Sequence, residues 1–206
     1  STGRIIGAMQ CAIAELGFAP RSDAEVRDII GLGLPEAIEQ LFPTVSASER
    51  AVLQASYARH YVAADQQPCA FFPGAVAVLE QLKMRGHLMA IATGKSRKGM
   101  RRVLDQLDMH DFFHATRCAD ETRSKPHPQM LHELLTELAV PTHSAVMIGD
   151  TEYDMAMARN AGMARIAVKF GAHVVERLTA YEPELILDDW HQLLAWPAVR
   201  VDSPYR

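Results

Sequence analysis

Val146-Met147-Ile148-Gly149-Asp150-Thr151-Glu152-Tyr153-Asp154 is an apolar run that stops at two carboxylates placed four residues apart. A short run without polar alternation suits a parallel strand covered on both faces. In open α/β sheets the carboxyl ends of such strands are where ligands bind. Two carboxylates at that position suit a hard cation. Mg²⁺ prefers oxygen donors, keeps several waters and commonly joins one or two carboxylates to a substrate phosphate. The same residues also suit a plain helix N-terminus in which Thr151 or Asp150 is the cap.

Two upstream segments share this layout. His87-Leu88-Met89-Ala90-Ile91-Ala92 ends in Thr93-Gly94-Lys95-Ser96, a hydroxyl and a glycine turn ahead of a helical pattern. Backbone N–H groups at a helix start point at anions, and a threonine hydroxyl can donate beside them, so Thr93 and Gly94 are candidate phosphate ligands. A nucleotide-binding P-loop is excluded, because it needs a glycine where Met89 stands. Ser124-Lys125-Pro126-His127-Pro128 holds a lysine between prolines just before the amphipathic run Met130, Leu131, Leu134, Leu135, Leu138. A lysine so placed can neutralise charge at a fixed point, or it can be an ordinary solvated surface lysine.

Thr93, Lys125 and the Asp150/Asp154 pair, each in a loop before a helix, resemble the second, third and fourth motifs of the haloacid dehalogenase-like hydrolases. The likeness is closest to the phosphoglycolate phosphatase-like branch. It extends to Phe72-Pro73-Gly74 before a helix and to Arg159-Asn160-Ala161-Gly162 at the end of another. The resemblance implies an α/β fold, with a Rossmann-like parallel sheet core and an α-helical cap. It implies Mg²⁺-dependent hydrolysis of a small phosphorylated metabolite, phosphoglycolate-like, through an aspartyl-phosphate. In that scheme Thr93 holds a phosphoryl oxygen with Gly94 beside it, Lys125 offsets charge, Asp150 ligates Mg²⁺, and Asp154 positions the metal's water or Lys125.

Family members open with a strand ending in Asp-x-Asp-Gly-Thr-x-x-Asp-Ser, whose first aspartate is the nucleophile. Ser1 aligns with the last serine of that motif, so the nucleophile is absent from this sequence. Three expectations follow: a clipped rather than degenerate enzyme, negligible turnover by these 206 residues, and two core strands with unpaired ladder groups. The alternatives are a sugar-phosphate mutase of the same superfamily and a non-catalytic binding protein. A phosphonate-cleaving relative needs a cap lysine, and Ser1 to Ala70 contains none. Haloalkanoate dehalogenases work without metal, which the paired aspartates argue against.

Helical signals fill the first third of the chain. Ile5, Met9, Ile13 and Leu16 mark one face and Gly17 ends it, while Ser22/Glu25 and Ser46/Glu49 have capping-box spacing ahead of apolar residues. From Phe71 onward helices alternate with apolar runs near 88–92, 115–118, 145–148, 165–168 and 185–187, which predicts βαβ units. The expected division is a helical cap over 1–68, an α/β core over 69–196 and a loose tail over 197–206, with Asp188-Asp189 opening a terminal helix. Gly31-Leu32-Gly33 is expected near the active site; Arg27 and Arg59 are cap arginines that could meet an anionic leaving group, an exposed helix arginine being the favoured reading of each.

With 49% apolar residues and a net charge of −4, the chain has an ordinary globular composition and no nucleic-acid footprint. Cys11, Cys69 and Cys118 show neither metal-ligand spacing nor a disulfide framework, in keeping with a reducing cytoplasm. No run approaches the ~20 residues of a membrane span. The oligomeric state is not legible in the sequence.

Overall fold

The computed structural model describes residues 2–64, 70–200 and 204–205. Ser1, the expected boundary at Pro68, Cys69 and much of the last stretch lie outside the described residues.

The first part is helical: α1 (Thr2–Leu16), α2 (Asp23–Asp28), α3 (Leu34–Leu41) and α4 (Ala47–Ala63). Both anticipated capping boxes form. Ser22 and Ser46 accept from the amides of Glu25 and Glu49, whose carboxylates reach back to the serine amides. Gly17 ends α1 at φ 68°, a left-handed conformation that glycine adopts without a Cβ penalty. Met9, Ala12 and Ile13 of α1, Val26 of α2, Ile38 of α3 and Leu53 of α4 form this part's own core, each 3% exposed or less.

The second part alternates strictly: α5 (Ala75–Met84), β1 (Ala90–Thr93), α6 (Arg97–Leu107), β2 (Ala115–Cys118), α7 (Gln129–Glu137), β3 (Val146–Gly149), α8 (Glu152–Asn160), β4 (Ala164–Val168), α9 (Val175–Thr179) and β5 (Leu185–Leu187). Every strand pair is parallel, with Ala90 opposite Ala115, Val146 opposite Ala164 and Ile166 opposite Leu185. The chain therefore has the expected α/β, Rossmann-like architecture.

The sheet is in two pieces. β1 pairs with β2, and β3 with β4 and β5, while no ladder joins β1 to β3 among the described residues. Side chains bridge the gap instead. Ala92 of β1 and Met147 of β3 pack on one cluster built from Met130 and Leu131 of α7 and Met157 and Ala158 of α8. Among the described residues β1 and β3 each have one neighbouring strand, in keeping with the expected open edge on both.

Two details differ from expectation. The segment after Asp189 forms 3₁₀ turns, Trp190–Ala195 and Pro197–Val199, rather than an α-helix. The stretch expected to be a loose tail begins packed: Val199 is buried and its carbonyl accepts from Arg85 Nη1 at 2.8 Å. A valine flanked by Trp196 supplied enough apolar surface to hold this turn against the core. Among the described residues no helix is long and apolar enough to cross a membrane.

Candidate active site

The loops that follow β1 and β3 face one cleft of about 590 Å³, closed on the other side by α1, α4 and the 31–36 segment of the helical part. Thr93, Gly94, Lys125, Asp150 and Asp154 all line it, so the residues singled out in the sequence meet in space. The separation of Thr93 from Asp150 along the chain is closed by parallel strand order: both sit at carboxyl ends of strands running the same way.

Asp150 and Asp154 have different environments. Asp154, 3% exposed, is the N3 residue of a capping box on Thr151, so the plain capping interpretation is correct for Thr151. Its Oδ2 accepts from the Asp150 amide at 3.2 Å, the Thr151 amide at 3.1 Å and the Thr151 hydroxyl at 2.7 Å. Its Oδ1 accepts from Lys125 Nζ at 2.6 Å. Four donors leave this carboxylate few free lone pairs, which suits an anchor better than a direct metal ligand. Asp150 is freer: Oδ2 accepts from the Ala172 amide at 2.9 Å, and its main-chain carbonyl from the His173 amide. Burial and then the neighbouring Asp154 charge raise the Asp150 pKa above the ordinary aspartate value. A cation beside it would relieve both penalties, and one carboxylate with water and a phosphate oxygen is a donor set Mg²⁺ accepts. The residues present fit the ion.

Lys125 is 6% exposed and not a solvated surface lysine. The loop carrying it is fixed at three points. Its peptide to Pro126 is cis, the Ser124 hydroxyl accepts from the Gly33 amide at 2.7 Å, and the Pro126 carbonyl accepts from Asn160 Nδ2 at 2.9 Å. The Gly33 bond brings the 31–33 segment to the cleft. On the other side, the Thr93 hydroxyl accepts from the Lys95 amide at 3.2 Å, and Ser96 caps α6.

Two of the glycines permit close approach of the aspartate side chains. A Cβ on Gly149 would collide with the Asp154 side chain, and one on Gly171 with that of Asp150. Gly149 was visible in the motif, whereas nothing in the sequence connected Gly171 to Asp150.

Other neighbours were also missed. Arg177 of α9 bonds to Glu152 Oε1 at 2.6 Å and Oε2 at 3.0 Å, and its Nη1 donates to Asp28 of α2. These pairs lower the Glu152 pKa and raise that of Arg177. His173 is buried, with Nδ1 accepting from the Glu152 amide at 3.2 Å. Burial and then Arg177 hold it below the usual histidine pKa, so the neutral ring is favoured. The arginines considered from sequence lie elsewhere: Arg27 is exposed, and Arg59 is exposed and pairs with Glu15 at 2.7 Å. Neither lines the cleft. The cationic face there comes from α6 and the turn before it.

Comparison with known proteins agrees with this geometry. The haloacid dehalogenase-like hydrolase family model matches residues 1–168. A protein named probable phosphatase IndB, from Dickeya dadantii (strain 3937), is 31% identical over 194 residues, covering 92% of this chain and 84% of the relative. The phosphoglycolate phosphatase of Vibrio parahaemolyticus is 28% identical, covering 91% of this chain and 86% of its own length. The crystal structure of a hydrolase from Pseudomonas syringae superposes with a TM-score of 0.86 at 20% identity, over 95% of this chain and 90% of that one. The chain belongs to the haloacid dehalogenase-like hydrolases, in the branch that resembles the phosphoglycolate phosphatases. By family it is an enzyme of the phosphatase kind.

Proposed function

We propose that this protein is a Mg²⁺-dependent hydrolase of a small phosphorylated metabolite, phosphoglycolate-like, acting through an aspartyl-phosphate. The observation that carries this reading is the convergence of Thr93, the Lys125–Asp154 pair and Asp150 on one cleft. In phosphoryl transfer a protein has little to do beyond aligning the group and stabilising its charge, which calls for this set of donors and cations.

Thr93 Oγ1 and the Gly94 amide receive the non-bridging phosphoryl oxygens. Lys125 Nζ, held by Asp154, presents a cation to the phosphoryl group and to the carboxylate attacking it. Asp150 holds Mg²⁺, and Asp154 acts on it indirectly through Lys125 and the Asp150 amide. Bound there, the ion supplies charge neutralisation for the transferred group. The helical part, 1–68, acts as a cap that excludes water from the cleft, and 69–196 is the core.

None of the described cleft carboxylates suits the nucleophile. Asp154 is saturated, Asp150 is the metal ligand, the Asp120 carboxylate accepts from the Arg97 amide at 2.8 Å, and Glu36 is an exposed side chain in the first turn of α3. The proposal therefore includes negligible turnover by residues 1–206 alone, for want of a covalent step. The test is Mg²⁺-dependent phosphate release from a panel of small phosphomonoesters, with Asp150→Ala protein as control. Silence in both supports the reading. Release that disappears in Asp150→Ala would mean that one of the 206 residues serves as nucleophile, and the assignment of roles would fall.

A further inference from the structure

The helical part meets the core on two sides of the cleft. On the Thr93 side, Lys95 Nζ donates to the Tyr61 hydroxyl of α4 at 3.2 Å. On the Asp150 side the junction runs through Asp28, the last residue of α2. The Tyr153 hydroxyl donates to the Asp28 carbonyl at 2.9 Å and accepts from Gln40 Nε2 of α3 at 3.3 Å, while Arg177 Nη1 donates to the Asp28 carboxylate. A few residues further on, the turn at 31–33 lies against the loops that carry the site. A Cβ on Gly31 would stand 2.8 Å from the Thr151 hydroxyl oxygen, and one on Gly94 would stand 2.4 Å from the Leu32 carbonyl oxygen. So short a backbone link ties the place of this turn to that of Asp28.

The same contacts run back to Asp150. Arg177 holds Glu152 bidentately, with Oε1 at 2.6 Å and Oε2 at 3.0 Å. The Glu152 amide donates to Nδ1 of His173, and the His173 amide donates to the Asp150 carbonyl at 3.1 Å. The Asp150 carboxylate itself takes the Ala172 amide. Arg177 therefore joins Asp28 of the helical part to the two core segments that orient Asp150. A bidentate guanidinium–carboxylate pair fixes direction as well as distance, so a shift of Asp28 is passed on to the first turn of α8.

We propose that Arg177 and Tyr153 are positioning residues that couple the seating of the helical part to the orientation of Asp150, so that Mg²⁺ binding and seating strengthen each other. This rests on the reading of Asp150 as the metal ligand and adds what orders that ligand. Such coupling is reciprocal, one free energy acting in both directions. It also has a sign of its own. By charge alone, Arg177→Ala removes a cation from the Asp150 side of the cleft and frees the Glu152 carboxylate, and both changes favour a divalent cation. Coupling acts the opposite way: without Arg177 the Asp150 segment loses its hold and Mg²⁺ binds more weakly. Tyr153→Phe cuts the second bond to Asp28 with no change of charge.

The experiment is Mg²⁺ titration calorimetry of the 206-residue chain and of its Asp150→Ala, Arg177→Ala and Tyr153→Phe variants, each checked for cooperative urea unfolding. Hydrogen exchange of residues 29–41 is followed with and without the ion. The expected Kd for Mg²⁺ rises about fivefold in Arg177→Ala, the lower end of ordinary coupling. In Tyr153→Phe it rises about threefold, the factor for one neutral hydrogen bond. Mg²⁺ slows exchange of 29–41 in the wild type and does not do so in Arg177→Ala. A Kd unchanged or lowered in either folded variant overturns the coupling alone, as does exchange in the wild type that is indifferent to a bound ion. Absence of Mg²⁺ binding to the wild type, or binding that survives in Asp150→Ala, overturns the metal-ligand reading and the coupling with it.

Discussion

The hydroxyl of Tyr153 donates to the main-chain carbonyl of Asp28 at 2.9 Å, joining the first turn of α8 to the end of α2. Arg177 bonds to the Asp28 side chain as well, so a single residue of the helical part is gripped from two core helices. Removing the Arg177 guanidinium should loosen that grip without unfolding either core. Because these groups are partly exposed, the expected cost of Arg177→Ala is about 1 kcal/mol. Hydrogen exchange should accelerate in residues 23–41 and stay unchanged in β4 and β5. A uniform acceleration through both parts would contradict the tether.

The Lys125–Asp154 pair makes a sharper prediction. Removing one member of a buried pair strands the other charge, a loss of about 3–5 kcal/mol. Lys125→Met should fall in this range by urea unfolding. Asp154→Ala should cost more, because the Thr151 capping box goes too, adding about 1 kcal/mol. The double variant should be scarcely worse than Asp154→Ala, since the lysine is then no longer orphaned. Simple addition of the two single losses would refute the coupling.

Asp150 predicts a pH dependence of defined sign. Its pKa in the folded chain is raised, so the stability it contributes is complete below the unfolded value near 3.8 and is lost as pH rises through the folded one. At neutral pH without divalent ions, Asp150→Asn should therefore be more stable than wild type, and the gap should close below about pH 4. Saturating Mg²⁺ should reverse the order at neutral pH, adding about 2.7 kcal/mol to wild type at a hundredfold excess over Kd. Urea midpoints measured against pH, with and without the ion, decide the matter.

Gly171 offers a way to disturb the same carboxylate from outside the motif. A methyl group there runs into the Asp150 side chain, while the fold around β4 and β5 is left intact. Gly171→Ala should abolish the Mg²⁺-induced rise in Tm and retain a cooperative unfolding transition. A normal Mg²⁺ response would show that Asp150 does not need its present position.

Much of this was legible before the structure. The apolar runs ending at Thr93 and Asp150, the two serine capping boxes and the glycine stop after α1 are local signals, each set by a few adjacent residues. Parallel order then placed the loops together. The sequence was silent where partners are distant and chemically unremarkable: Arg177 with Asp28, Gly171 with Asp150, Tyr61 with Lys95. Arg27 and Arg59 read first as exposed helix arginines, and both are exposed. The capping box on Thr151 is also what holds Asp154 beside Lys125.

The divided sheet bears on how firmly the cleft is set. Thr93 rides on one piece and Asp150 on the other, and among the described residues no ladder joins the pieces, which meet through apolar side chains. Such contacts have no hydrogen-bonded register, so no ladder sets the spacing of Thr93 and Asp150. A strand seated between β1 and β3 would pin both rims at once and convert a yielding pocket into a preorganised one. Affinity for a phosphoryl group would then rise without a new contact to it, because the cost of ordering the site would already be met.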